Sequence, residues 1–141
     1  MKQLEIFPPQ DQKLLPRNQF EAIVYFMAHL DADWVSLFLN NEKTYQDFPK
    51  HLFIRKLIVA FEQFESDGDK VLTLHKGFCN GCSRGCTGFT FLGKQGKFMD
   101  VLFKMKGEEI DDIYECSSFS NDTDVPNKLE RVYIDVMEFF S

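Results

Sequence analysis

The chain has 141 residues, which is about the length of one domain, and its 16 phenylalanines can supply much of a core. Its 22 acidic and 16 basic side chains give a formal charge of −6, which argues against nucleic acids and anionic membranes as partners, because both need a basic patch. Pro8 and Pro9 interrupt the first apolar stretch, and no stretch approaches the roughly 20 apolar residues that span a bilayer, so we expect a cytosolic protein without a signal peptide.

Three helices are predicted in the first half of the chain, after a loose lead-in over residues 1–17. Asn18 is the predicted N-cap of the first helix, with Glu21 three positions later. The second helix is predicted over 34–39 with Asp33 as its cap, and Pro49 is predicted to open the third. Apolar residues at helical spacing mark the buried faces of the first and third helices, namely Phe20, Ile23, Val24, Met27 and Leu30, then Phe53, Leu57, Ala60, Phe61 and Phe64.

Alternating apolar and polar residues predict four strands in the second half, over 70–76, 87–92, 97–106 and 109–118. Residues 77–86 form the predicted loop between the first two strands, and 126–140 are predicted to form a closing helix. Helices followed by a meander of strands predict a single α+β domain. We expect a curved antiparallel sheet of about four to five strands packed against the N-terminal helices, with a C-terminal helix.

The predicted loop contains Cys79, Cys82 and Cys86, the only cluster in the chain that indicates chemistry rather than packing. The predicted hairpin places His75 at the base of this loop, opposite Gly88. Because zinc prefers four tetrahedral nitrogen or sulfur ligands, the three thiols and His75 predict a zinc site. Two alternatives stay open: a redox pair formed by Cys79 and Cys82, whose C-x-x-C spacing is typical of dithiols, and thiols without metal in a surface loop.

Simple turns at 93–96 and 107–108 would place Cys86 beside Phe103 and Met99 beside Cys116, so that about 16 Å separates the two cysteines. This register disfavours Cys116 as a zinc ligand. It also makes Asp100 and Glu115 cross-strand neighbours on an apolar face. One carboxyl of such a pair has a raised pKa, as acid–base catalysis requires, although both could instead be solvated or paired with Lys97 or Lys104.

Two segments resemble the NTF2-like superfamily, which includes SnoaL-like and ketosteroid-isomerase-like proteins. They are Ala28–Leu39 (AHLDADWVSLFL), similar to its first helix, acidic turn and second helix, and Glu109–Glu115 (EIDDIYE), similar to its last strand. The resemblance implies a cone with a pocket between sheet and helices, with Tyr25, His29, Trp34 and Tyr45 near its mouth, and a homodimer formed through the outer sheet face.

Because this superfamily hosts isomerases and dehydratases as well as non-catalytic partners, the fold alone leaves the function open. The favoured interpretation is a binding module with a zinc-stabilised loop, which takes a small apolar ligand in the cone or a protein partner at the loop. One alternative is an isomerase- or dehydratase-type enzyme that uses Asp100 or Glu115. Another is a thiol redox-responsive protein.

Overall fold

The computed structural model describes residues 18–80, 87–121 and 124–134, so the predicted lead-in over 1–17 lies outside the described residues. Its elements, in chain order, are α1 (Gln19–Ala28), α2 (Ala32–Phe38), β1 (Thr44–Tyr45), β2 (Phe48–Pro49), α3 (Lys50–Glu65), β3 (Thr73–Cys79), β4 (Thr87–Leu92), β5 (Lys97–Lys106), β6 (Glu109–Tyr114), β7 (Phe119–Asn121) and β8 (Glu130–Arg131). The predicted α+β class is confirmed, and the bounds of β4 and β5 are those predicted.

Side-chain caps define where the first two helices begin. The Glu21 amide donates to Asn18 Oδ1 at 2.8 Å, as predicted for α1. The cap of α2 is Asp31, whose Oδ1 accepts from the Trp34 amide at 3.2 Å, so the prediction of Asp33 was wrong. The physical reason is that α1 ends early, and Leu30 then takes a left-handed conformation with φ of 58°, which turns the chain directly into Asp31.

The main sheet has the strand order β6-β5-β4-β3-β7, and β8 adds to the edge of β5 in parallel. The predicted closing helix is wrong over 126–134, where the chain instead forms β8; residues 135–140 lie outside the described residues. Sheet hydrogen bonds explain the difference, because the amides of Glu130 and Val132 donate to the carbonyls of Gly96 and Phe98. The extended chain then buries Val132 and Ile134 in the core.

The β4–β5 hairpin pairs Leu92 with Phe98 and Thr90 with Asp100, one residue away from the predicted register. The loop between Leu92 and Phe98 spans 93–97, one residue more than the predicted turn at 93–96, and Gly96 within it lies in the left-handed region with φ of 100°. Because side chains alternate along a strand, this single residue exchanges the two faces of β5. The inner face therefore carries Met99, Val101 and Phe103, while the outer face carries Phe98, Asp100 and Leu102.

The core lies between the inner face of the sheet and the helices. Its aromatic members are Tyr45, Phe53, Phe61, Phe64, Phe89, Phe91 and Phe103. The stripe predicted for α3 is buried throughout, which confirms that part of the sequence prediction. Within the described residues, no helix has the length and apolar character that would let it cross a bilayer.

Candidate functional site

Two thiols meet where β3 ends and β7 begins. Cys79 is the last residue of β3 and pairs with Phe119 of β7, while Cys116 opens the tight turn that leads into β7. The Sγ atoms of the two cysteines lie 3.4 Å apart, too far for a covalent bond between them. Cys79 is buried, Cys116 is half-buried, and the Ser118 amide donates to Cys116 Sγ at 3.4 Å. The fold thus brings two sulfur atoms together at one edge of the sheet.

This contact corrects the prediction that Cys116 lies far from the cysteine loop. β6 ends at Tyr114, and the chain then turns to lay β7 against β3. The predicted long fourth strand would have carried Cys116 along the opposite edge of the sheet. A polar three-residue strand such as β7 has no clear periodicity, so the pattern gave no signal of this pairing. Cys82 and Cys86 lie outside the described residues.

His75 lies on the outer face of the sheet, opposite Thr90 rather than opposite Gly88. Because β3 is a continuous strand, the four steps from His75 to Cys79 cover about 13 Å. Zinc–ligand bonds are only about 2.0–2.3 Å long, so the separation is too large for His75 and Cys79 to bind the same zinc ion. Partial burial lowers the pKa of His75, because it disfavours the charged imidazolium.

A buried polar network covers the middle of the outer face. Thr90 donates to Asp100, and Lys128 Nζ lies 3.1 Å from the other oxygen of the Asp100 carboxylate. The same ammonium lies 4.7 Å from the centre of the Phe98 ring. Asn121 completes the network, because its side chain donates to Thr90 and accepts from Lys128. The network fastens the segment after β7 to the sheet, and sequence reasoning did not identify Lys128 as its cation.

Asp100 and Glu115 are not the cross-strand neighbours that the predicted register required. Asp100 lies on the outer face, whereas the Glu115 carboxylate accepts from Gln46 Nε2 and from the Ile134 amide, both at 2.9 Å. The β5–β6 register shifts between the pairs Met105–Ile110 and Lys104–Asp112, because β6 holds one additional residue there, Asp111, and β6 then ends at Tyr114, before Glu115. The β4–β5 register is what moves Asp100 to the outer face. The predicted carboxylate pair is therefore not formed, and its two members have separate structural partners.

The residues predicted near a pocket mouth do not converge. Tyr45 is fully buried in the core, and its hydroxyl accepts from the Asn40 amide. Tyr25 packs against His29 with ring centres 4.3 Å apart, while Trp34 stacks on Phe26 at 5.2 Å and stays 47% exposed. Only His29 of the predicted four lines the cleft of about 330 Å³ that lies between the α1–α2 turn and α3.

Comparisons with protein-family models, with curated proteins and with solved structures found no match to this chain. Among the described residues, no group of three or more His, Cys, Asp or Glu side chains is arranged to hold a metal ion. Only two of the four cysteines belong to those residues. The Cys79–Cys116 pair is the feature from which a function can be argued.

Proposed function

We propose that this chain is an interaction module in which the four cysteines hold a structural zinc ion. The ion would join the β3–β4 hairpin to the turn before β7. The observation that carries the proposal is the 3.4 Å separation of the Cys79 and Cys116 sulfur atoms. Two thiolates on one tetrahedral zinc, each about 2.3 Å from the metal, lie about 3.8 Å apart. Binding would therefore require only a small movement of the two side chains.

Chain connectivity supports the other two cysteines as ligands. Cys82 follows Cys79 by three residues, which limits the distance between their Cα atoms to about 11 Å. Cys86 directly precedes Thr87, the first residue of β4. The resulting pattern, C-x2-C-x3-C with Cys116 thirty residues later, has the donor set of a closed structural zinc site. Cys116 thus replaces His75 as the fourth proposed ligand.

A binding role fits the way in which the space between helices and sheet is filled. Core side chains, including Phe91 and Phe103, occupy the region where the NTF2-like resemblance placed a ligand pocket. We keep an NTF2-like arrangement of helices and strands as part of this proposal, on the basis of the order of those elements along the chain. A ligand would then have to bind on the surface, which favours a protein partner over a small apolar molecule.

The same sulfur contact also favours a second candidate, a thiol redox-responsive protein. Its pair would be Cys79 with Cys116 instead of Cys79 with Cys82. Loss of two protons and two electrons to an oxidant such as a glutathione disulfide would join the two sulfurs at about 2.05 Å. Metal content and thiol count distinguish the two candidates.

The test is zinc analysis of the full chain purified in reductant without added metal. We expect about one zinc per chain, and loss of that zinc in C79S and in C116S. His75→Gln is the matched control: it should keep zinc if the ligands are the four cysteines, and it should lose zinc if His75 is the fourth ligand. The contrary result is a protein that contains no zinc after reconstitution but loses two thiols reversibly on mild oxidation. That result would overturn the zinc proposal and support the redox candidate.

A further inference from the structure

Helix α2 presents a continuous apolar face to solvent. Trp34 is 47% exposed, Leu37 70% and Phe38 38%, which is unusual for three large apolar residues on a helix of seven residues. Phe26 of α1 supports the patch, because its ring stacks on Trp34 at 5.2 Å and on Phe38 at 5.8 Å. Ring stacking of this kind holds the aromatic side chains in place before a partner arrives. A preformed aromatic surface loses little side-chain entropy on binding.

An acidic cleft adjoins this apolar face. Asp33 lines the cleft and lies one helical turn before Leu37 on α2, so the two features share one edge. Asp31, Glu62 and Glu65 contribute three more carboxylates to the lining, and none of the described lysine and arginine residues lines it. Leu30, Ile58 and Phe61 supply an apolar part of the lining. Together, the α2 face and the cleft form a surface with an aromatic half and an anionic half.

We propose that this surface binds a basic amphipathic segment of a protein partner. The apolar side chains of the segment would pack on Trp34, Leu37 and Phe38. Its lysine or arginine side chains would enter the cleft, where the carboxylates attract cations and the apolar lining residues can pack against their methylene groups. Tryptophan is enriched among residues that dominate binding energy, which favours Trp34 as the anchor.

Charge complementarity distinguishes this occupant from the alternatives. A second copy of the chain, whose net charge is −6, would bring acidic residues toward an acidic cleft. An anionic membrane would be repelled for the same reason. The inference deepens the binding role proposed above and does not depend on bound zinc. A chain that binds the peptide but contains no zinc would overturn the metal site alone. A chain that contains zinc but does not bind the peptide would overturn this surface alone.

Trp34 is the only tryptophan of the chain, so its fluorescence reports directly on this surface. The probe is a synthetic peptide of leucine and lysine, spaced so that leucine lines one side of a helix; the control peptide has glutamate in place of lysine. We expect the lysine peptide to shift Trp34 emission to shorter wavelength in a saturable manner. The shift should weaken when NaCl is raised to about 0.5 M, and the glutamate peptide should cause none.

Variants locate the binding surface on the full chain. Leu37→Glu should weaken binding at least about tenfold, and the pair Asp33→Lys with Glu65→Lys should do the same, because they remove the apolar and anionic halves separately. Matched controls are Leu129→Glu, at a leucine 75% exposed beside the β4–β5 turn, and Glu108→Lys, at the β5–β6 turn; both should leave binding unchanged.

Three results would overturn the proposal. The first is a shift that is absent, does not saturate or is equally large in all variants. The second is a shift that appears on raising the protein concentration alone, together with a dimer in sedimentation, which would make a second copy the occupant. The third is an equally strong shift with phosphatidylcholine vesicles, which would make a lipid surface the occupant.

Discussion

Cys79 and Cys116 place their sulfur atoms 3.4 Å apart although 37 positions separate them in the chain. Backbone pairing produces this contact, because β7 lies against the end of β3 through the pairs Gly77–Asn121, Phe78–Ser120 and Cys79–Phe119. Formation of the sheet therefore places the two side chains next to each other. It follows that a change in how β7 docks should alter the chemistry of the two thiols.

The first prediction concerns oxidation of the metal-free protein. In a variant that carries Cys82→Ser and Cys86→Ser, glutathione disulfide should join Cys79 to Cys116, since their sulfurs are already close. The measurement is the loss of two thiols, with a Cys79–Cys116 cross-link in the peptide map. In the wild-type chain, bound zinc should slow this reaction by occupying the thiolates. Cross-links that form between chains and not within one would contradict the observed contact.

The second prediction concerns Gly77, which lies under the ring of Phe119. A Cβ atom at this position would lie 2.2 Å from Phe119 Cζ and 2.8 Å from the Ser120 carbonyl oxygen, so Gly77→Ala should push β7 away from β3. We expect a loss of about 1–3 kcal/mol in the free energy of unfolding, measured with urea, and slower cross-linking of Cys79 to Cys116.

Gly107→Asn is the control for that experiment. Gly107, unlike Gly77, has a positive φ, of 66°, but a Cβ atom there would meet nothing within 4 Å, and asparagine tolerates this conformation. Its stability and cross-linking rate should stay close to those of the wild-type chain. Equal losses in the two variants would mean that the contact with Phe119 is not the cause.

Features that depend on neighbouring residues could be predicted from the sequence. The cap at Asn18, the apolar stripe of α3 and the bounds of β4 and β5 all follow from local spacing, and the structure confirms them. The relation between strands could not be predicted equally well. One additional residue in the β4–β5 loop exchanged the faces of β5, because side chains alternate along a strand. A shift of the β5–β6 register at Asp111 removed the predicted pairing of Asp100 with Glu115.

The candidate site escaped prediction for a different reason. Strands β7 and β8 contain three and two residues, too few for a periodic pattern, and both exist because they complete an existing sheet edge. The position of Cys116 depends on β7, and the position of Lys128 depends on the segment between β7 and β8. The nearby cysteines in the sequence were enough to single out Cys79 as a candidate for chemistry. Its partner, Cys116, could be found only from the fold.

The third prediction concerns the ion pair of Lys128 with Asp100. The Asp100 side chain is 5% exposed, so Lys128→Met would leave a buried carboxylate without its cation and should cost about 2 kcal/mol of unfolding free energy. Adding Asp100→Asn should restore part of the loss, because the buried charge is then removed. Lys97→Met is the control, since its partner Asp67 is 22% exposed, and its loss should be smaller. Equal losses would show that burial of Asp100 does not set the cost.

The fourth prediction concerns two adjacent carboxyl groups on β6 whose pKa values move in opposite directions. Burial raises the pKa of Asp112 above its ordinary value of 3.8, so the folded state favours its neutral form, and its contribution to stability falls as the pH rises through that raised pKa. A hydrogen bond from Lys43 lowers the pKa of Asp111, whose contribution to stability is instead lost as the pH falls.

Asp112→Asn should therefore stabilise the protein at pH 7, since asparagine Oδ1 can still accept from the Gln46 amide, and this gain should vanish as the pH falls below 3.8. Asp111→Asn should destabilise it at pH 7. Urea unfolding midpoints across this pH range check both signs, and a shift of the same sign in the two variants would contradict the opposite environments of these neighbours.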